Sequence, residues 1–487
     1  MNSRFLKITS GASLLGIVLF AGSCQKPDLA KEGSLNAVSN HNEARLTALA
    51  EERTPAFPDA EGFGRFATGA RGADSASVYV VTNLNDSGPG SFRDAVSKPG
   101  RFVVFEVTGI IRLKSNVSVA ANTTIAGQTA PGKGIVLYGR KVTFTGANNA
   151  IVRNIRIRLG ANDGASRSDD ASGVANGKNM IFDHVSFSWG QDEVFSINWD
   201  NKGYEPDSIT LQNCIVAQGL HKVNHSAGGL IQTAGKISIL KSLYISNKTR
   251  NPKVKGINEF VNNIVYDWGN LGNPMGHTVS GDGYIMGGSA GVSQVNIINN
   301  YFIAGPLTPD RATPFSRGTG TFYLYASGNY FDRNKNGVLD GTLVPADSVG
   351  YPGIEPQNFM PNPYPYPFST PTMTAADAFK YVAKEAGAAY PHRDDVDKLL
   401  IEELRSAGLQ GLYVYTESDL PLANGGLGDF PVADPHKDGD GDGIPDVWER
   451  QLGLNPEVKD ALSRSTADPR YLNIEVYLNT LATQKGV

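Results

Sequence analysis

Short apolar runs, each broken by a polar residue, recur through the middle of the chain. The polar residues that precede the second apolar run fall at positions 154, 184, 213, 242, 263, 300 and 329. Repeats separated by about 20–50 residues are typical of solenoids and propellers. Each repeat holds two or three short strands with polar corners and lacks a WD or kelch signature. The pattern therefore predicts an all-β fold, a parallel β-helix in which each coil stacks on the next.

Asparagine is common at these breaks. When coils stack in register, like side chains lie above one another, so amides can hydrogen-bond along a ladder while apolar neighbours point inward. Cys214 directly follows one of these asparagines and is expected to be a small buried residue. We interpret the asparagines as corner and ladder residues: Asn154, Asn213, Asn263, Asn300 and Asn329.

Composition narrows the class of protein. The 487 residues include 44 basic and 48 acidic ones, a net charge of -4, which argues against binding to nucleic acid through bulk charge. The 55 glycines indicate many turns and disfavour a helical bundle or a coiled coil. With only Cys24 and Cys214, the chain has neither a disulfide framework nor a cysteine-based zinc cluster.

Residues 1–24 have the form of a secretory signal peptide, with basic residues, an apolar run too short to span a bilayer, and small residues before Cys24. Small residues ending at a cysteine resemble a bacterial lipoprotein signal, in which the cysteine is acylated; ordinary signal cleavage is the alternative. We therefore expect an exported protein, a cell-surface or outer-membrane lipoprotein that contacts the membrane only through a lipid on Cys24. Residues 25–54 are polar and are expected to be a flexible linker.

Three further segments follow from changes of pattern along the chain. Residues 55–345 form the predicted β-helix. Residues 346–433 start with a proline-rich stretch that cannot pair as a central strand, and two predicted helices follow, one starting at Thr374 and one at Asp394. This segment is expected to pack on the solenoid. Residues 434–487 form a small tail with an acidic loop.

The tail contains a twelve-residue sequence that matches a calcium-binding loop. Carboxylates stand at loop positions 1, 3, 5, 9 and 12, and Gly443 stands at position 6, where the backbone must turn sharply. A solvated acidic turn is the alternative to a structural calcium ion. The predicted ligands are Asp438, Asp440, Asp442, Asp446 and Glu449.

A weaker copy of this loop begins at Asp332. Asn334, Asn336 and Asp340 occupy positions 3, 5 and 9, but Leu343 replaces the last carboxylate and two basic residues lie inside the loop. The sequence leaves two interpretations open, calcium binding and a plain Asn-Gly turn.

Acidic residues recur near the ends of successive predicted runs, at Asp169-Asp170, Asp183-His184 and Asp192-Glu193. Residues about one coil apart lie on neighbouring coils, so these acids can meet on one face and bind cations together. For Asp183 and His184, a buried and mutually satisfied pair is the alternative.

A basic segment follows two coils later, with Arg250, Lys253 and Lys255. Such a run is often a solvated face. Beside a cation held by acids, it would instead suit an anionic polymer. Lys222, after His221, adds a further cation from the coil between.

Taken in order, residues 181–184, Asp192 and residues 250–255 resemble the pectate lyases of the first polysaccharide-lyase family. Residues 60–64 and 88–95 are similar to that family's first coils, and residues 391–397 to its C-terminal flank. The resemblance covers roughly residues 55–410. It implies a right-handed parallel β-helix that acts on polygalacturonate or pectin. We expect a monomer that does not bind nucleic acid.

The resemblance also implies calcium-dependent β-elimination, in which Arg250 removes the proton beside the uronate carboxylate and leaves a 4,5-unsaturated product. Calcium would act as a Lewis acid and nearby cations would stabilise the developing charge. Lys255 stands where the family pattern Arg-x-Pro-x-x-Arg has its last arginine, and lysine lacks the planar fork for bidentate contact. The implied calcium ligands are Asp170, Asp183, Asp192 and Glu193, and the expected substrate-binding residues are His221, Lys222, Lys253 and Lys255.

Other functions fit the same fold. A polygalacturonase-like hydrolase would use paired carboxylates as acid and base, but would leave the Arg250 segment without a role. A lyase for methylated pectin would need no calcium. A non-catalytic solenoid that binds glycan on a cell surface would bind the polymer without releasing product.

Overall fold

The computed structural model describes residues 53–162, 164–272, 279–287, 290–368, 370 and 373–483. The predicted signal segment 1–24, with Cys24, and nearly all of the linker 25–54 lie outside the described residues. From Thr54 onward the chain forms one compact unit. Among the described helices, none is both long enough and apolar enough to cross a membrane.

The strands wind into coils with three faces, which we call A, B and C, and each full coil passes through C, A and B in turn. Face A contains β1 (Ser77–Val81), β2 (Arg101–Phe105), β5 (Thr124–Ala126), β8 (Ile151–Arg153), β11 (Lys178–Asp183), β14 (Asp207–Gln212), β21 (Ser293–Ile298) and β24 (Phe322–Ser327). Face B contains β3 (Gly109–Arg112), β6 (Ile135–Tyr138), β9 (Arg156–Arg158), β12 (Ser186–Ser188), β15 (Ile215–Ala217), β17 (Leu243–Ile245), β19 (Ile264–Tyr266), β22 (Tyr301–Ile303), β25 (Tyr330–Asp332) and β26 (Thr342–Leu343). Face C contains β4 (Val117–Ser118), β7 (Val142–Thr143), β10 (Ser172–Val174), β13 (Phe195–Asn198), β20 (Asp282–Ile285) and β23 (Thr313–Ser316).

Two long strands join faces C and A. The first residues of β16 (Leu230–Leu240) and β18 (Lys253–Val261) pair on face C, and their last residues pair on face A. The register shifts between Gln232 and Lys236, where β16 turns from one face to the other. These two coils therefore carry a continuous strand beside the cleft described below.

Side chains of neighbouring coils stack in register. Val152, Phe182, Leu211 and Ile239 occupy paired positions on four parallel strands of face A, and each is at most 2% exposed. Burying such columns supplies the main stabilisation of a solenoid, because each coil contacts only its neighbours. The predicted parallel β-helix is confirmed.

The turn from face A to face B contains two distinct positions. The first has a left-handed backbone, with φ of 51° at Asn154 and 54° at Asn213, a conformation that asparagine adopts more readily than most residues. The next position points inward, where the Asn263 amide donates to Asn300 Oδ1 (3.2 Å) and the Asn300 amide donates to Asn329 Oδ1 (2.8 Å). The predicted ladder is therefore correct for the last three asparagines, whereas Asn154 and Asn213 are corner residues. Cys214 is fully buried, as predicted.

The segment after the β-helix packs on face B. Beside the single-turn helix α1 (Phe92–Ala95), the structure has α2 (Ala375–Glu385) and α3 (Asp395–Arg405), which begin after the capping side chains of Thr374 and Asp394. Arg158 on β9 binds Asp394 (2.5 Å) and Asp397 (2.8 Å), and all three side chains are fully buried. Short 3-10 helices cover Gly69–Gly72, Gly127–Thr129, His221–Val223, Pro356–Asn358 and Glu417–Asp419.

The tail packs on the outer surface of the first strands of face A. It contains α4 (Asp446–Leu452) and α5 (Asn473–Thr483). Ile444, Trp448 and Tyr477 form one apolar cluster with Phe102 and Val104 of β2. The acidic loop that precedes α4 is thereby held against the β-helix, far along the chain from the strands it contacts.

Candidate active site

Four successive coils bring polar side chains to the start of face C. Asp170 precedes β10, Asp192 and Glu193 precede β13, His225 precedes β16, and Arg250 precedes β18. In the parallel β-helix the beginnings of these strands lie side by side, about 4.8 Å apart from coil to coil. Residues distant in sequence therefore meet in one row.

Backbone pairing sets this row. Glu193 forms a parallel bridge with Ala227, and Ala227 forms one with Thr249. Arg250 directly follows Thr249 and has a left-handed backbone, with φ of 56°. This register brings Arg250 beside Glu193, with one coil between them.

Asp192, Glu193 and His225 converge on one point. His225 Nε2 lies 2.9 Å from Asp192 Oδ1 and 3.7 Å from Glu193 Oε1. One ligating atom from each of the three residues lies within 4.8 Å of the others. The Glu193 side chain is only 5% exposed, whereas that of Asp192 is 33% exposed. Carboxylate oxygens are the donors that calcium prefers, so the donor set fits this ion, although the imidazole is a softer donor.

Asp170 lies beside this cluster. Its Oδ1 accepts a hydrogen bond from the Glu193 N–H (3.1 Å), and its Oδ2 lies 3.1 Å from Lys141 Nζ. Burial raises the pKa of Asp170 and the charge of Asp192 adds to the rise, while Lys141 opposes it. The hydrogen bond from His225 lowers the pKa of Asp192, against the opposing effect of burial.

Arg250 faces the same acids. Its Nη1 contacts Glu193 Oε1, and its side chain is 26% exposed. Burial lowers the pKa of Arg250, and the positive charge of Arg317 lowers it further, while Asp192 and Asp170 oppose this. The charged form of this guanidinium is therefore destabilised, at a position that lines the cleft and is partly exposed.

An open cleft of about 440 Å³ runs over these residues along the outer surface of face C. Beyond the acids, His225 and Arg250, its lining includes Lys141, Thr143, Ser196, Trp199 and Leu230. Polar side chains dominate, so the cleft suits a hydrated, charged ligand better than an apolar one.

Further cations continue the row beyond Arg250. Lys253 pairs with the cleft residue Leu230, and Lys255 with Gln232, on the outward side of β18. Burial lowers the pKa of Lys253, and the charges of Arg250 and Arg317 lower it further. Asp282 anchors Arg317 at 2.5 Å, although the Arg317 side chain remains 62% exposed.

Asp183 does not belong to this cluster, and its interpretation as a ligand of the same cation is wrong. It is 1% exposed at the end of β11, bound to Arg153 (3.0 Å) and His184 (2.8 Å), and it accepts hydrogen bonds from Gln212 and Asn213. Burial opposes ionisation, but His184 and Arg153 outweigh it and hold the pKa of Asp183 well below its usual range. Its four partners saturate the carboxylate, as in the alternative of a satisfied buried pair.

His221 and Lys222 also differ from expectation. His221 is 1% exposed and stacks on Tyr413, with ring centroids 3.8 Å apart, so it packs against the C-terminal segment and cannot contact substrate directly. Lys222 is exposed and its Nζ donates to the Ala161 carbonyl (3.2 Å). It does not line the cleft, and a substrate contact by Lys222 remains a prediction.

A second acidic cluster lies in the tail. Asp438, Asp440 and Asp442 meet at one point, and Asp442 also meets Glu449 and Asp460. Burial and the surrounding acids raise the pKa of Glu449 to about 7.

Asp446, the predicted fifth ligand of the tail loop, is not part of the tail cluster. Its carboxylate pairs with Lys437 (2.9 Å) and Arg450 (3.3 Å) and accepts a hydrogen bond from the Gly439 N–H (2.6 Å). The expected ligand role is therefore wrong for this residue, because its oxygens close the loop.

The weaker loop has the geometry of a turn. The amides of Asn334 and Asn336 donate to the two oxygens of Asp340 (2.8 and 3.1 Å), and Asp332 Oδ2 accepts from the Asp340 N–H (3.2 Å). Within the described residues, no cluster of three acidic or histidine ligands forms there. These contacts are those of an Asn-Gly turn, and calcium binding by this loop remains a prediction.

Sequence reasoning missed His225 and Lys141 in the cleft, Arg317 near Arg250, and Asp460 in the tail. His225 and Lys141 lie one coil from an acid that was identified, but loop lengths differ between coils, so spacing alone did not align them. Arg317 and Asp460 lie outside every motif that the sequence analysis recognised, so no pattern pointed to them.

The amino-acid sequence is similar to those of known pectate lyases. The chain is 48% identical over 426 residues to a probable pectate lyase C of Aspergillus flavus, covering 88% of this chain and 94% of that protein. It is 49% identical, over 88% of this chain and 93% of the relative, to a probable pectate lyase C of Aspergillus fumigatus. A pectate lyase A of Dickeya chrysanthemi is 24% identical over 39% of this chain and 57% of its own length. No family model matches the chain.

Solved structures of pectate lyases also match the chain. A pectate lyase studied for its anti β-elimination mechanism matches 70% of this chain and 99% of its own, with a TM-score of 0.48 and 17% identity. A pectate lyase from Bacillus sp. N165 in complex with trigalacturonate covers 67% and 98%, with a TM-score of 0.41 and 16% identity. On the strength of the sequence relatives, which match nearly nine-tenths of its length, the chain belongs to the pectate lyase family of polysaccharide lyases.

Proposed function

We propose that the protein is a calcium-dependent pectate lyase that cleaves de-esterified polygalacturonate by β-elimination, with Arg250 as the base. The observation that carries this proposal is the contact between Arg250 and the buried Glu193 inside a polar, open cleft. An elimination needs one group that accepts a proton and positive charge that stabilises the resulting dianion. Both are present within one row of side chains.

Asp192 and Glu193 would hold the calcium ion, with Asp170 and His225 beside them. When bound, the ion would act as a Lewis acid that spreads the negative charge developing on the uronate carboxylate. Without the ion, Arg250 and Lys141 would compensate the negative charge of these carboxylates.

Arg250 would accept the proton on the carbon beside the carboxylate. The electrons of that C–H bond would form the 4,5 double bond as the bond from carbon 4 to the glycosidic oxygen breaks, and the leaving oxygen would take up a proton from water. A guanidinium normally stays charged. Here burial and the nearby charge of Arg317 favour its neutral form. The row of Lys253, Lys255 and Arg317 would bind further carboxylates of the polymer, with Lys222 as an additional candidate.

One observation favours hydrolysis as a second candidate. The pKa of Asp170 is raised by burial while the hydrogen bond from His225 lowers the pKa of Asp192, and hydrolases use such pairs as acid and base. Under that mechanism, however, Arg250 would have no chemical role.

The decisive experiment is incubation of the purified protein with polygalacturonate, with calcium or with chelator, while near-ultraviolet absorbance and product size are followed. The proposal expects calcium-dependent absorbance from unsaturated ends. Reducing ends without absorbance would instead identify a hydrolase, and retention of polymer without any product would identify a binding protein. Methylated pectin as a second substrate tests whether free carboxylates are needed.

We also propose that the protein is exported and works as a monomer, with the segments 1–24, 25–54, 55–345, 346–433 and 434–487 as its units. A lipid on Cys24 is the finer form of this proposal. The relatives that match most of the chain are fungal and lend no support to a bacterial lipoprotein type. Labelling with radioactive palmitate, with Cys24→Ala as the control, tests the lipid anchor. Wild-type protein that carries no label would contradict it.

A further inference from the structure

Glu449 places its carboxylate in the interior of the tail. The residue is fully buried, and neither of its carboxylate oxygens has a hydrogen-bond partner among the described residues. An ionised carboxylate in such a position is strongly unfavourable unless a cation compensates it. One of its oxygens lies within 4.8 Å of ligating oxygens of Asp442 and Asp460.

Asp442 links two halves of the tail cluster. Its carboxylate lies within 4.8 Å of those of Asp438 and Asp440, as well as near Glu449 and Asp460. Its Oδ2 accepts hydrogen bonds from the backbone N–H of Asp460 (2.9 Å) and of the following residue. The chain segment around residue 460 is thereby held over the loop.

Asp460 takes the place that the loop pattern assigns to Asp446. Position 9 of a twelve-residue calcium loop commonly acts through water, and here Asp446 is engaged by Lys437 and Arg450. Asp460 supplies a carboxylate from outside the loop instead. A cation at this point would contact two chain segments rather than one.

The same loop touches the β-helix. Ile444, two residues after Asp442, is fully buried against Phe102 and Val104. Gly443 lies so close to β1 that an added Cβ would stand 2.5 Å from Val78 Cγ1, and its φ of +98° requires glycine. A change in the loop's conformation would therefore disturb the tail's contact with the first strands.

We propose that the tail binds one hard divalent cation, of the calcium class, through Asp438, Asp440, Asp442, Glu449 and Asp460, and that this ion fastens the tail to the first coils of the β-helix. Oxygen-only donors in this number match calcium. The site is separate from the cleft, and this inference does not rest on the proposed lyase activity.

The experiment compares Glu449→Gln and Asp460→Asn with Asp446→Asn as the matched control, using the full chain and calcium alone as the probe. Equilibrium dialysis measures bound calcium, and limited proteolysis with mass spectrometry detects release of the tail. We expect Glu449→Gln and Asp460→Asn to weaken the tail site by about tenfold or more, and Asp446→Asn to stay within about threefold of the wild type. Binding that is unchanged in Glu449→Gln, or lost equally in Asp446→Asn, overturns the ligand assignment.

The difference in protease resistance between the wild type and Glu449→Gln provides a second readout, because it should change sign between chelator and calcium. In chelator, Glu449→Gln removes an uncompensated buried charge, so the variant's tail should resist protease at least as well as the wild type. In calcium, the wild-type tail should be the more resistant. Equal protection of the wild type in calcium and in chelator contradicts the fastening role. Lyase activity at saturating calcium should be unchanged in both variants, which separates this test from that of the proposed function.

Discussion

The guanidinium of Arg250 contacts the carboxylate of Glu193, although one complete coil of the β-helix lies between the two residues. Each residue compensates the charge of the other in the absence of a ligand. A cation bound by Glu193 and Asp192 would compensate the negative charge of Glu193 in place of Arg250. The guanidine would then be available to accept a proton. Cation binding and the readiness of the base are in this way expected to be coupled.

Replacing Arg250 by alanine should abolish elimination without unfolding the protein. The side chain is partly exposed and its loss leaves no cavity in the core. We expect kcat to fall by about 10²–10⁴-fold, the range for loss of a positioned base. Initial rates from near-ultraviolet absorbance measure this, and calcium binding should persist in the same variant. Arg250→Lys, which keeps the charge, distinguishes a base from a purely electrostatic group. Full turnover in Arg250→Ala would remove Arg250 from the mechanism.

Asp192→Ala should raise the calcium concentration needed for half-maximal activity by about tenfold or more, because it removes a ligand carboxylate. Asp200→Ala is the matched control, since Asp200 lines the same cleft but lies outside the acidic cluster. Calcium titrations of activity give both values. An equal effect of the two substitutions would show that general negative charge in the cleft, and not ligation, is what matters.

The pH profile should depend on Arg317. The base must be neutral to accept a proton, so activity is expected to increase as the pH increases through the alkaline range. Because the charge of Arg317 helps burial to lower the pKa of Arg250, Arg317→Ala should move the rising limb of kcat/KM to higher pH. Arg317→Lys should retain the wild-type limb. Arg311→Ala, at an exposed arginine on the preceding loop, is the control and should not move it.

Arg317→Ala should also weaken substrate binding. An exposed guanidinium anchored by Asp282 is well placed to pair with a carboxylate of the polymer. We expect KM for polygalacturonate to rise by about three- to tenfold, the effect of losing one hydrogen bond of ordinary net strength, because exposure to solvent weakens the contribution of the charge. A rise in KM that vanishes at high salt would fit this role, whereas no change in KM would restrict Arg317 to its effect on Arg250.

Glu403 should make the fold less stable at alkaline pH. Burial, with a contribution from Asp267, raises the pKa of Glu403 to about 8. The folded protein therefore holds a proton that the unfolded chain releases above its ordinary carboxyl pKa, so this stabilisation is complete at acidic pH and is lost as the pH rises toward 8. Glu403→Gln should raise the free energy of unfolding at pH 9 on the order of 2 kcal/mol and change it little at pH 5. Denaturant unfolding at both pH values, with the exposed Glu402→Gln as control, tests this. Equal effects at the two pH values would contradict it.

Most of the fold could be predicted because its cause is local and repeated. Apolar runs broken at solenoid spacing require strands that bury one side, and neighbouring coils offer the same surface to each other. Helices α2 and α3 were predictable in the same way, since Thr374 and Asp394 are capping residues whose side chains accept from the backbone three residues on. The acidic pairs and the Arg250 segment also stood out by composition alone.

The membership of the candidate site could be predicted only in part. Asp170, Asp192, Glu193 and Arg250 meet as expected, but His225 joins them because of a backbone bridge at Ala227 that spacing does not reveal. Asp183 was also expected beside these acids. It lies instead at the end of β11 on face A, where four hydrogen-bonding and charged partners enclose it.

What the sequence determined by itself is therefore the repeat, the apolar columns and the types of chemistry that the chain carries. Only the tertiary structure decided which of these groups meet, as Asp460 shows by replacing Asp446 in the tail cluster. The reason is physical. Strand periodicity and capping act between residues a few positions apart, whereas the register between coils depends on the length and conformation of every intervening turn, which local preferences do not specify.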